Sequence, residues 1–136
     1  MATAFRCSIV TPSEAVLSAD ATYVTFEAWD GQRGVMSGAS PFLTTLGVGS
    51  ARVDLADGTS ASYLVDIGFA QMQGSELTLL SDFAADVNTL SRAAAEREYA
   101  EARATAVEPG HTSALERERV ERMQKLAAAK IALAVR

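Results

Sequence analysis

One cysteine and one histidine in 136 residues remove several chemistries at once. A lone thiol, Cys7, excludes an internal disulfide and fits a reducing compartment. With so few nitrogen and sulfur donors, the chain cannot assemble a zinc site of the usual kind. Lysine is absent from residues 1–87. Phosphate backbones are held by cations, so nucleic acid is not expected as a partner. No apolar run approaches the ~18–20 residues that a membrane-spanning helix needs. The opening Met-Ala-Thr-Ala-Phe-Arg-Cys has no basic stretch followed by a long apolar one, so no signal peptide is expected.

The remaining candidates for catalysis also thin out. His111 falls in an expected loop and reads as solvated. Cys7 lies on the apolar face of a strand and reads as a buried structural thiol. Carboxylates are scattered; Asp54, Asp57 and Asp66 sit in or beside a hairpin and read as solvated surface. The glycine-rich stretch at 31–49 lacks the Gly-Lys-Ser/Thr ending of a phosphate cradle. No catalytic residue, metal site or cofactor is expected. The residues describe a binding or structural module.

What is present is enough for a packed core. Hydrophobic residues make up 49% and charged residues 21%, the proportions of an ordinary globular domain. The net charge of −5 is unevenly spread. Residues 1–87 carry three basic and ten acidic side chains; residues 88–136 carry nine basic and seven acidic.

Five of the nine glycines fall within 31–49, GQRGVMSGASPFLTTLGVG. Apolar Val35, Met36, Phe42, Leu43, Leu46 and Val48 punctuate the stretch, which reads as short strands folding back through tight turns. Before it, Phe5, Cys7 and Ile9 alternate with Arg6 and Ser8, the period of a half-buried strand. Ala15-Val16-Leu17 reads as a short strand ending in a polar turn at 18–20. In residues 22–28, Val24, Phe26 and Ala28 share one face. After it, Asp57-Gly58 predicts a two-residue hairpin loop with positive φ at both positions. Gly74-Ser75 predicts the mirror turn with glycine first. Many short strands with closely spaced turns predict an antiparallel sandwich of about ten strands over residues 1–87.

The pattern changes over residues 88–136. Residues 89–106 contain strong helix formers and neither glycine nor proline. Thr89 is the expected N-cap, with Ala93, Ala100 and Ala104 recurring on one face. Glu108-Pro109-Gly110-His111 reads as a stop. Ser113 and Glu116 fit a capping box opening a second helix, with apolar Leu115, Met123, Leu126, Ala127 and Ile131. An antiparallel two-helix hairpin is predicted, held by small side chains that bury little area.

Two stretches resemble the epsilon subunits of F-type ATP synthases. Gly31, Gly34, Val35, Gly38, Pro41, Phe42, Leu43, Thr44, Leu46 and Gly49 fill that family's first motif. Gly68, Phe69, Ala70, Leu77, Thr78, Leu80 and Asp82 match its second. The opening Val10-Thr11-Pro12 and Glu14 are similar as well. Three positions depart from the family pattern. Ala39-Ser40 replaces His-Ala, Gln71 replaces an acidic residue, and Thr89 replaces the aspartate of an ATP-binding motif whose Arg92 and Ala93 are kept.

The resemblance implies a non-catalytic subunit of the rotary central stalk, on the cytoplasmic face of the bacterial inner membrane. It would couple proton flow through the c-ring to ATP synthesis and touch the membrane only through that ring. It implies c-ring contacts at Asp30, Gly31, Gln32, Arg33, Met36, Ser37, Gly38, Ala39 and Ser40. Gamma-subunit contacts would lie near Phe42 and Phe69. Basic Arg117, Arg119, Arg122, Lys125 and Lys130 would meet beta subunits, where the helices inhibit ATP hydrolysis. The residues alone leave open a free-standing sandwich adapter with a helical interaction arm.

Overall fold

A computed structural model describes residues 3–104 and 114–134. The chain divides into two units, Met1–Asp86 and Val87–Arg136. Among the described residues the first contains nine strands: β1 Phe5–Val10, β2 Ala15–Ala28, β3 Gly31–Met36, β4 Phe42–Leu46, β5 Gly49–Leu55, β6 Ser60–Val65, β7 Gly68–Gln73, β8 Glu76–Ser81 and β9 Ala84–Asp86.

The 14-residue β2 organises the sandwich. Its first half pairs antiparallel with β1, from Phe5↔Ala21 to Ile9↔Leu17. Its second half pairs with β3 on one side and β5 on the other. One layer is therefore β2–β1–β8–β7–β4 and the other is β3–β2–β5–β6–β9. Nine strands supply the expected ten strand segments because β2 serves both layers. A further pair, Ala28↔Leu46, ties β4 back to β2.

The expected turn at residues 18–20 is instead the middle of β2. Ser18 and Asp20 point to solvent, where Arg6 donates to Ser18 Oγ at 2.8 Å and to Asp20 Oδ1 at 3.5 Å. Ladder pairing to β1 overrides the local turn signal. Pairings are antiparallel as expected, except β1 with β8, which is parallel. No tight hairpin joins these two strands, so nothing local dictates their relative direction.

Period-two alternation sends Phe5, Cys7, Ile9, Val24, Phe26, Val53, Met72, Leu77 and Leu79 into one core. Within it, burial pushes the Cys7 thiol up to about 12. The reactive thiolate is thereby suppressed. Burial also raises the Tyr63 hydroxyl pKa, reinforced by the negative charge of Asp86.

Both predicted hairpins form, one with a different turn. Gly74 takes φ +61 and Gln73 pairs with Glu76, as a glycine-first two-residue turn requires. At Asp57-Gly58 only the glycine has positive φ, at +92. Gly58 N–H donates to the Leu55 carbonyl at 3.1 Å and Leu55 N–H to the Thr59 carbonyl at 2.8 Å. This is a three-residue loop, an ordinary turn closed by a left-handed glycine. Asp57 stays out of the left-handed region and accepts from Thr59 N–H and Oγ1 at 2.9 and 2.6 Å.

Asp66 is not solvated surface: it is 4% exposed. Its backbone N–H donates to buried Ser81 Oγ at 2.9 Å, and its Oδ1 accepts from Ile67 N–H at 2.7 Å. Ser81 Oγ in turn donates to the Phe83 carbonyl at 2.6 Å. These bonds lock the β6–β7 and β8–β9 connections together.

The second unit opens with a 3-10 turn, Val87–Thr89, followed by α1 Arg92–Ala104 and α2 Ala114–Leu133. The N-cap is Ser91 rather than Thr89: its Oγ accepts from Ala94 N–H at 3.2 Å, while Thr89 is consumed by the preceding turn. Shifting the start changes the packed face. Ala93 and Ala100 are exposed; Ala95 and Ala102 are buried with Tyr99 between them. On α2, Ala127 is buried, Leu126 and Ile131 are half-buried, and Met123 is exposed. Gln124 donates to the Ala102 carbonyl at 3.2 Å and Lys130 to Glu98 at 2.7 Å, an antiparallel pairing of the two helices. The stop at 108–111, the side chains of the capping box at 113–116, and those of Ala104 and Leu115 lie outside the described residues.

Candidate interaction surfaces

Alternation in β4 separates its neighbours. Phe42, Thr44 and Leu46 face inward, while Leu43 and Thr45 face outward. Phe42 stacks on Phe26 with centroids 6.4 Å apart. The Arg33 guanidinium also lies over the Phe42 ring, 4.2 Å from its centroid. Phe69 lies on the opposite face, 51% exposed, so the structure does not bring the two candidate gamma-contact phenylalanines together. The residue that accompanies Phe69 is Leu43, at 67% exposure. The period-two reading of β4 could have found it, since Leu46 belongs to the core and Leu43 is three positions away.

Register assembles the outer patch. Thr45 pairs with Phe69, Phe69 with Leu80, and Leu80 with Val10. Exposed Leu43 and Leu80 and half-buried Val10 thus extend one apolar surface across β4, β7, β8 and β1. A depression of about 280 Å³, lined by Val10, Pro12, Gly68, Phe69 and Leu80, opens beside it. Gly68 is required there, because a Cβ would run into the Leu80 carbonyl oxygen.

The nine residues read as c-ring contacts split into two groups. Asp30, Gly31 and Gln32 are exposed at the β2–β3 hairpin tip, where Gly31 takes φ +122. Arg33 follows them but spends its guanidinium on Phe42. Met36, Ser37, Gly38, Ala39 and Ser40 lie at the far end of β3, roughly 16 Å away along the strand. There Gly38 has φ +86 and Ala39 packs against the core.

The five basic residues of α2 do not form one stripe. Arg117, Arg119 and Lys125 are exposed, but Arg117 and Arg119, two apart, point to different sides of the helix. Arg122 is half-buried. Lys130 is engaged by Glu98, its side chain only 16% exposed. Among the described residues, no cluster of His, Cys, Asp or Glu could hold a metal ion. None of the described helices is long and apolar enough to cross a membrane.

Residues 4–87 match the family described as ATP synthase, Delta/Epsilon chain, beta-sandwich domain. The chain belongs to the ATP synthase delta/epsilon family. It is 38% identical over 104 residues to the ATP synthase epsilon chain of Sinorhizobium fredii, covering 76% of this chain and 78% of that one. It is 36% identical over 103 residues to the sodium ion specific epsilon chain of Propionigenium modestum, covering 76% and 74%. The family fold extends to distant structures. A chain from the Euglena gracilis mitochondrial ATP synthase, solved with OSCP, F1 and c-ring, superposes with TM-score 0.78 at 18% identity. That match covers 95% of this chain and 80% of the other. A chain of the Tetrahymena thermophila central stalk and c-ring gives TM-score 0.61 at 12% identity, covering 96% of each.

Proposed function

We propose that this epsilon chain is a non-catalytic rotor subunit that joins gamma to the c-ring and transmits rotation between proton flow and ATP synthesis. The observation that carries this reading is the apolar outer face Leu43–Phe69–Leu80, large hydrophobic side chains left in water by a sandwich that already has a full core. Gamma covers that face, in an interface above the roughly 1,000 Å² that stable association needs. The β2–β3 tip, with Asp30, Gly31 and Gln32, faces the ring. The loop 36–40, roughly 16 Å away along β3, is a second and separate region of ring contact.

The subunit sits on the cytoplasmic face of the bacterial inner membrane and reaches the bilayer only through the ring. Its α2 supplies Arg117, Arg119 and Lys125 to acidic beta-subunit surface when the helices restrain hydrolysis. Lys130 joins them only after leaving Glu98.

Replacing Phe69 and Leu43 by glutamate tests the gamma face. Both side chains are at least half exposed, so the fold should survive, as circular dichroism will show. Affinity for purified gamma should fall at least about thirtyfold, the cost of losing a central interface anchor. Undiminished gamma binding by the folded double variant would place gamma elsewhere.

A further inference from the structure

Two of the seven aspartates precede glycine, as Asp30-Gly31 and Asp57-Gly58. This dipeptide is open to a reaction of the backbone with its own side chain. The glycine nitrogen attacks the aspartate Cγ, and the carboxyl hydroxyl leaves as water with the amide proton. The five-membered succinimide so formed takes up water again at either carbonyl. Opening at the α-carbonyl leaves an isoaspartyl linkage, in which the main chain runs through the side chain and is one methylene longer. The mass is unchanged and no co-reactant is consumed. The other five aspartates precede Ala, Leu, Ile, Phe and Val, whose side chains crowd the attacking nitrogen, and the lone asparagine, Asn88, precedes β-branched Thr89.

The two glycines are equally open. Each has positive φ, +122 at Gly31 and +92 at Gly58, and a Cβ added to either would meet nothing within 4 Å. All four residues are exposed. Hydrogen bonding separates the pairs. At Asp57-Gly58 both reacting groups are occupied. Gly58 N–H donates to the Leu55 carbonyl at 3.1 Å, and Asp57 Oδ1 accepts from Thr59 N–H and Oγ1 at 2.9 and 2.6 Å. The bonds from Thr59 also lower the Asp57 pKa, which depletes the neutral acid whose hydroxyl can leave. Leu55 N–H, donating to the Thr59 carbonyl at 2.8 Å, closes the loop around them. The Asp30 carboxylate, in contrast, takes no hydrogen bond or ion pair from any described residue. Gly31 belongs to the last of six register pairs, Ala28↔Gly31, at the hairpin end of the ladder, where local opening costs least.

We infer that Asp30-Gly31 is the isoaspartate-forming site of this chain, and that Thr59 keeps Asp57-Gly58 from the same reaction. Isomerisation at Asp30 lengthens the two-residue connection Trp29-Asp30 between β2 and β3 and disrupts the Ala28↔Gly31 pair, so an aged chain presents an altered tip.

Ageing the full chain at neutral pH and physiological temperature tests this. Peptide mapping with electron-transfer fragmentation locates isoaspartate, and an isoaspartyl methyltransferase with labelled S-adenosylmethionine counts it. Isoaspartate should accumulate at position 30 about tenfold faster than at position 57, the worth of one hydrogen bond to a charged group. In urea the two positions should react at similar rates, because the fold no longer separates them. Thr59→Val, at an exposed position, should raise the rate at 57 severalfold, and Asp30→Glu should remove most of the label. Equal rates at 30 and 57 in the folded chain, or a faster rate at 57, overturn the assignment. So does a folded chain that stays unmodified at 30 while the urea-treated chain reacts at both. An unchanged rate at 57 in Thr59→Val overturns the guarding role of Thr59.

Discussion

Thr44 offers a substitution whose expected sign runs against the usual outcome of core mutagenesis. Its side chain points inward from β4, 8% exposed, and its Oγ1 is buried without a hydrogen-bond partner. An unsatisfied buried hydroxyl costs roughly 1–3 kcal/mol. Valine has the same branching and nearly the same shape, so Thr44→Val keeps the strand geometry while removing the orphaned oxygen. The added methyl contributes a further fraction of a kcal/mol. The full chain should gain about 1–2 kcal/mol. For a sandwich of this size that is roughly 4–16 °C in Tm. Urea unfolding followed by the strand signal in circular dichroism measures the gain. Thr45→Val, on the solvent face of the same strand, is the control and should stay within about 0.5 kcal/mol of the parent. Destabilisation by Thr44→Val, with Thr45→Val neutral, would mean that the Thr44 hydroxyl has a hydrogen-bond partner in the core.

Cys7, fully buried and with its pKa raised to about 12, should resist a thiol reagent at pH 8 in the native chain and react at once in urea; rapid native labelling would contradict its place in the core. Asp57 accepts from Thr59, which lowers its carboxyl pKa below the ordinary 3.8. A lowered folded pKa gives stability present above the unfolded value and lost as pH falls through the folded one. Asp57→Asn should therefore flatten the acid limb of the stability curve below about pH 4, and an unchanged limb would remove Thr59 from the explanation. Deleting residues 112–136 should raise ATP hydrolysis in the assembled enzyme, and the restraint by the intact arm should weaken with added salt; equal hydrolysis with and without the arm would leave coupling as the subunit's only role.

Strands were legible where alternation and turn chemistry agree. Phe5, Cys7 and Ile9 mark β1 because every second residue meets the core, and Gly74 marks its turn because the geometry asks for positive φ. Two misreadings share a cause: residues distant in sequence decided the outcome. Ser18 and Asp20 look like a turn until β1 supplies Arg6 and a ladder. Asp66 looks solvated until Ser81, fifteen residues away, closes over it. Asp57-Gly58 and the Thr89–Ser91 choice were closer contests between similar local options, resolved by a loop one residue longer and a helix starting two residues later. At the interaction surface, Phe69 could be singled out by its motif. The patch itself could not, because it is made by cross-strand register among β4, β7, β8 and β1, which no single stretch of sequence contains.

Coupling of the ring to the catalytic head by this chain can be measured by reconstitution. Membrane vesicles bearing the ATP synthase would be depleted of their epsilon subunit and supplied with this chain, and ATP-driven proton pumping would then be followed. Restored pumping with the intact chain, and none with the Phe69 and Leu43 glutamate variant, is the predicted result. Binding of the intact chain to the depleted vesicles without recovery of pumping would contradict the account.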